Sequence, residues 1–231
     1  MHTVGPAVAM LEIGDIPPGL RALDALAKEA EVQVVSAGTI QRGHYLILFG
    51  GEVEPVSMSF DRAKDMAGDS LTDAVLLPHA EDRIVPVLMQ GIVRAPGAGD
   101  TLGVLQTGSP PTMLAAVDAA LKGADVELLE LRVADGLGGK AIANLWGELV
   151  DVQAAVGFAN NAIARGNLQR CSTTIIPRAD ETVVRAIASE TGADETRTRD
   201  RFDGRHGESA GNRRAQAAHR ASADRTAAAW G

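Results

Sequence analysis

The sequence predicts an α+β chain of two tandem domains. Each is an antiparallel sheet covered by helices, with the element order βαββαβα. Three observations predict this. "LRALDALAKEAEVQVVSAGTIQRGHYLILFGGEV" (20–53) and "MLAAVDAALKGADVELLELRVADGLGGKAIANLWGEL" (113–149) share one layout, an Ala-rich helix pattern, a Val-rich or Leu-rich run, a Gly-containing break, a second apolar run and Gly-Glu. The hydrophobic period alternates between 2 and 3.6 along the first half. At 231 residues and 45% apolar content, the chain can fill one large core or two of about a hundred residues each. Only 3% of residues are aromatic, so Ala, Val, Leu and Gly must fill the core, which suits thin α/β layers.

The repeat is measurable. Asp24 falls on Asp118, Lys28 on Lys122 and Val32 on Val126, all 94 apart. Past the Gly-containing break the offset is 96, with Gly51-Glu52-Val53 on Gly147-Glu148-Leu149. It reaches 99 where "LLPHAE" (76–81) meets "IIPRAD" (175–180). Offsets that grow only at loops indicate a duplicated domain, and the unit is too long for a solenoid repeat.

Within the first half, 7–13 reads as a strand. "IPPGLRALDALAKEA" then places Leu20, Leu23, Ala27 and Ala30 on one helix face. Pro17 and Pro18 suit its first turn, as Pro110 and Pro111 do in the second half. "EVQVVSAGTI" and "YLILFG" read as strands, 53–67 as a helix, "AVLLP" as a fourth strand and "EDRIVPVLMQ" as a short third helix. The expected domains are 1–93 and 101–192, with 94–100, "RAPGAGD", as linker. Residues 193–231 hold eight Arg, six acids, no Lys and almost no large aliphatics. They cannot bury enough surface to fold alone, and a disordered Arg/Ala-rich tail is expected.

A net charge of −8 argues against a general nucleic-acid binder. One cysteine, Cys171, excludes a disulfide framework and reads as a small buried thiol opening a strand. No apolar run reaches the roughly 18 residues of a membrane helix. The start, "MHTVGPAVAMLEIGD", has no basic n-region, so a cytoplasmic location is expected.

Catalytic candidates are poor. His44 lies in a break between strands beside Arg42, His79 follows a strand end, and His2, His206 and His219 lie near the termini. No spacing matches a metal site, so no metal is expected. "DGLGG" (135–139) leads into a strand rather than a helix N-terminus, so it lacks the anion-binding mechanism of a phosphate loop. Asp24, Asp61 and Asp118 read as solvated or capping acids. What stands out is a Gly-containing loop at equivalent places in both halves, which oligomerisation can gather around an axis.

"AMLEIGDIPPGLRALDALAKEAEVQVV", "IQRG" and "GGEVEPVSMSFDRAK" resemble the hexamer-forming shell proteins of bacterial microcompartments. "GVLQTGSPPTMLAAVDAALKGADVELLE", "GLGGKAIANLWGELVDVQAAVGFA" and "TTIIPRAD" resemble them more closely. The resemblance covers roughly 7–191 and points to the tandem-domain class, without circular permutation. It implies two domains of ferredoxin-like size and a homotrimer that forms a pseudohexameric tile with a central pore. The implied partners are other shell proteins and enclosed enzymes, and no catalysis, nucleic acid or membrane is implied.

The resemblance also implies residue roles. Lys28 and Lys122 match the edge lysine that packs against an adjacent tile, and Pro177-Arg178 matches a Pro-Arg edge pair, which is Pro78-His79 in the first half. The pore loop matches Gln41-Arg42-Gly43 and Leu137-Gly138-Gly139, and Arg42 stands where a small residue is usual. His44 and Arg42 would bring positive charge to the pore and Asp135 negative charge. Neither loop has the cysteine through which some tandem members hold an iron–sulfur cluster, so no cofactor is implied. The other reading that the residues allow is a soluble trimeric small-molecule-binding or signalling protein of ferredoxin-like type.

Overall fold

The computed structural model describes residues 4–90, 96–134, 136–166 and 171–192, all within the unit Met1–Asp194. The expected tail, Asp135 and part of the expected linker lie outside the described residues. The first half runs β1 (Ala7–Ile13), α1 (Ile16–Glu29), β2 (Gln33–Ile40), β3 (His44–Gly51), α2 (Val53–Ala67), β4 (Leu71–Leu77) and α3 (Ile84–Gln90). The second runs β5 (Thr101–Thr107), α4 (Pro110–Gly123), β6 (Glu127–Val133), β7 (Ala141–Gly147), α5 (Leu149–Ile163), β8 (Ser172–Ile176) and α6 (Glu181–Gly192). Both halves are therefore βαββαβα. Both first helices carry proline in their opening turn, where the missing N–H costs nothing. β4 starts at Leu71, three residues before the apolar run, because its pairing with β1 continues past a bulge to Ile13.

Each half forms an antiparallel four-stranded sheet, in the orders β2-β3-β1-β4 and β6-β7-β5-β8. Register carries the sequence offsets into space. Ala7 pairs with Gly51 and Thr101 with Gly147, while Val8 pairs with Leu77 and Leu102 with Ile176. The bulge between Val34 and Ser36 recurs between Leu128 and Glu130.

β1 is buried along its whole length, and alternation explains how. Ala7, Ala9, Leu11 and Ile13 pack with Ala22 and Leu26 of α1 and with Val56, Phe60 and Ala63 of α2. Val8 and Met10 point to the opposite face and join Leu48, Ile84 and Val87 in a cluster with Leu114, Val117 and Leu121 of α4. One face of the first sheet is covered by its own helices and the other by the second half. The second sheet has its own helices, α4 and α5, on one face. On its other face Leu102, Leu129 and Trp146 pack, among the described residues, with others of their own half, including Val183 and Ile187 of α6.

Candidate functional site

The junction between the halves is built from α4, the end of β4 and the two Gly-containing loops. Near the helix end, Asp118 and Lys122 are one turn apart and pair at 2.7 Å. Asp118 also accepts the Glu81 N–H at 2.8 Å, and the Lys122 ammonium donates to the His79 carbonyl. Arg83 donates to the carbonyls of Val126 and Leu121 and pairs with Glu81. Asp118 is thus buried, at 7% exposure, and is not the solvated acid its helical pattern suggested. Toward the loops, Oδ2 of Asp73 accepts three donors from the second half. These are the Ser109 hydroxyl, the Thr112 hydroxyl at 2.7 Å and the Thr112 N–H at 3.1 Å.

The two loops interlock. Gln41, Arg42 and Gly43 form a single 3₁₀ turn between β2 and β3. The Gly138 N–H donates to Oε1 of Gln41, and the Gly138 carbonyl accepts Nε of Arg42 at 2.6 Å. A second Arg42 nitrogen reaches the Gly108 carbonyl at 3.1 Å. Arg42 has φ 74°, the left-handed conformation that Gly138 takes at the equivalent place in the other loop, with φ 63°. A non-glycine residue there is strained by about 1–2 kcal/mol. The two charge-assisted hydrogen bonds offset a cost of that order. Leu137 lies in the same turn and accepts the Lys140 N–H at 3.3 Å, and a side chain at Gly139 would meet Nε of Arg42.

His44 opens β3 and holds Oε1 of Glu12 at 2.7 Å. Glu12 is fully buried, and its Oε2 has no hydrogen-bond partner among the described residues. Burial pushes its carboxyl above the usual value against the opposing pull of His44 and Arg42, and nearby Asp73 adds to the rise.

Of the edge candidates, Lys122 and His79 meet across the junction, whereas Lys28 pairs with the exposed Asp24 at 2.7 Å. Arg178 is exposed just past β8 with φ 49°. Cys171 lies one residue before β8 and packs, half-buried, against the core. Asp73, Arg83, Ser109 and Thr112 escaped the reading of the sequence. The signal that reveals two of them is positional. Asp73 has Ser172 as its counterpart and Ser109 has Asp15, an exchange between an acceptor and a donor.

The same two surfaces recur unjoined. α1 is the counterpart of α4, yet Leu20 is 51% exposed where Leu114 is 0% exposed. Asp24 and Ala27 are exposed where Asp118 and Leu121 are buried. Among the described residues, the second sheet's outer face has no helix over it in the place that α4 takes on the first. Two α+β domains of one topology, joined through α4 of the second and the sheet of the first, define a tandem-domain protein. The comparisons give that class its family. The model of the BMC domain matches residues 7–80 and again 101–179, and the chain belongs to the BMC domain family of microcompartment shell proteins.

Over 181 residues the chain is 30% identical to the bacterial microcompartment shell protein PduT of Citrobacter freundii, covering 78% of this chain and 97% of that one. Over 91 residues it is 31% identical to the carboxysome shell protein CsoS1A of Hydrogenovibrio crunogenus, covering 38% of this chain and 95% of the shorter protein. A solved microcompartment protein from Desulfitobacterium hafniense DCB superimposes with TM-score 0.63 at 26% identity, covering 78% of this chain and 98% of that one.

Proposed function

We propose that the chain is a structural tile of a microcompartment shell, in which three copies close into a pseudohexameric ring around a central pore for metabolite passage. The internal junction carries this reading. Its helix surface recurs on α1, where Leu20, Asp24 and Ala27 are exposed, and its sheet surface has its counterpart in the outer face of the second sheet with α6. Contacts of this head-to-tail kind generate a ring when the rotation closes. With two domains per chain, three copies make six positions.

Packing the second sheet of one copy on α1 of the next would cover Leu20. It would bring Lys28 to the Arg178 carbonyl and Asp24 to the Asp180 N–H, the counterparts of contacts seen within the chain. In this ring the loops 41–43 and 136–139 alternate around the pore, with His44 beside them. Arg42 is engaged by two carbonyls, so it staples neighbouring loops rather than standing free as an anion filter. The exposed remainders of Lys28, Lys122, His79 and Arg178 form the tile edge, where lysine stems lie along a neighbour.

The domains of this reading are 1–93 and 101–192, and the tile has no catalytic role. It lies in the shell of a cytoplasmic compartment beside other shell proteins and the enclosed enzymes. No described helix is long and apolar enough to cross a membrane. Electron microscopy of the overexpressed protein tests the tile. Flat sheets, tubes or rolled layers are expected, and monodisperse trimers that never associate would favour the ligand-binding or signalling alternative.

A further inference from the structure

The loop side of the internal junction is an acceptor facing donors. Asp73 receives the Ser109 hydroxyl and both donors of Thr112. At the counterpart positions every one of these is exchanged. The acceptor Asp73 becomes Ser172, the donor Ser109 becomes Asp15, and Thr112 becomes Pro18, which has neither hydroxyl nor N–H. Glu12 becomes Gln106 and His44 becomes Lys140, so the second sheet loses a carboxylate and gains a fixed cation. The helix end, by contrast, keeps Asp and Lys at both counterparts.

We infer that the seam between copies is sealed by a reversed pair, the Ser172 hydroxyl of one copy donating to the Asp15 carboxylate of the next, and that this reversal fixes the order in which domains meet. The inference rests on the ring proposed above, and its partner is a second copy of this chain. A first domain set against another first domain would place Asp73 on Asp15. Those are like charges at a desolvated contact, which disfavours the wrong pairing. A second domain against another second domain would set Ser172 on Ser109, with Lys140 left facing no carboxylate. Only alternation gives each acceptor its donor.

Asp15 and Ser172 are both exposed in the single chain. Asp15 caps α1 without a side-chain bond to the helix, and Ser109 holds the same place on α4. Oδ2 of Asp15 accepts the Ser70 hydroxyl at 3.0 Å, which leaves Oδ1 for the seam, and the unfolding control reads any loss of stability when this bond is removed. Purified full-length chain and three variants would be compared by sedimentation equilibrium across a concentration series, with thermal unfolding as the control for folding.

Ser172→Asp sets two carboxylates together at each seam and should raise the concentration for half-dissociation of the trimer by at least about tenfold. Asp15→Ser removes the acceptor and should also weaken the trimer. The combined Asp15→Ser/Ser172→Asp variant rebuilds the Ser109–Asp73 arrangement at the seam and should recover to within about threefold of wild type. A trimeric wild type with Ser172→Asp unchanged, or with no recovery in the combined variant, overturns the reversed pair and leaves the ring standing. A wild type that stays monomeric, or that assembles only with a different protein, overturns the ring and the pair together.

Discussion

Leu20 and Leu114 hold the same place on α1 and α4, but their different burial gives their loss different effects. Leu114 is fully buried in the junction within the chain, so Leu114→Ala should cost about 2–5 kcal/mol of folding stability through lost transfer energy and the cavity left behind. Leu20 is 51% exposed, and the ring reading covers that half with the next copy's sheet. Full burial of a leucine is worth about 1.5–3 kcal/mol, so the remaining half contributes about 1 kcal/mol per seam. Over the seams of a trimer that is about 2–3 kcal/mol, or roughly 30–200-fold in the association constant. Denaturant unfolding at several protein concentrations separates the two. Leu114→Ala should lower the midpoint at every concentration. Leu20→Ala should lower it only where the wild type is assembled, since association stabilises by mass action. A Leu20→Ala deficit as large in dilute as in concentrated protein, or absent in both, would refute the reasoning.

Arg42→Gly should be more stable than Arg42→Ala by about 1 kcal/mol, because alanine keeps the left-handed strain after the hydrogen bonds are gone. Equal denaturation midpoints would count against that assignment. Glu12 is raised in the folded state above its ordinary value of 4.5, so the fold holds its proton where the unfolded chain has released it. Its contribution to stability is fully present below pH 4.5 and is lost as pH rises through the folded value. Glu12→Gln, the residue found naturally at position 106, should flatten this part of the melting-temperature profile, and an unchanged slope above pH 4.5 would contradict it. Lys28→Asp should abolish sheets seen by electron microscopy while the trimer mass persists, because a single exposed contact adds only about 0–1 kcal/mol. Sheets that persist unchanged would remove Lys28 from the tile edge.

Offsets of 94, 96 and 99 were legible as a duplication, and the strand registers carry those numbers unchanged. The bounds of α1 and α2 were legible from prolines and the 3.6 period, whereas α3 begins at Ile84, three residues inside the run 81–90 read as a helix. Asp118 was not legible, because it sits in the same Asp-x-x-x-Lys context as Asp24 and local pattern cannot distinguish them. Only the first half lying against α4 buries one and leaves the other in water. Arg42 was legible as an anomaly, a long charged residue at a glycine-like place. Its role as a staple depends on carbonyls 66 and 96 residues away, beyond any local signal. The face of β1 that carries Val8 and Met10 was hidden for the same reason, since a strand buried on both faces does not say what buries it.

If the junction inside the chain is repeated between chains until it closes, three chains complete one ring. The mass of the purified protein in solution at micromolar concentration tests it most directly. A species of about 72 kDa, three times the 24.0 kDa chain, is expected as the smallest stable form. A stable monomer, with Leu20 left half-exposed on α1, would contradict it.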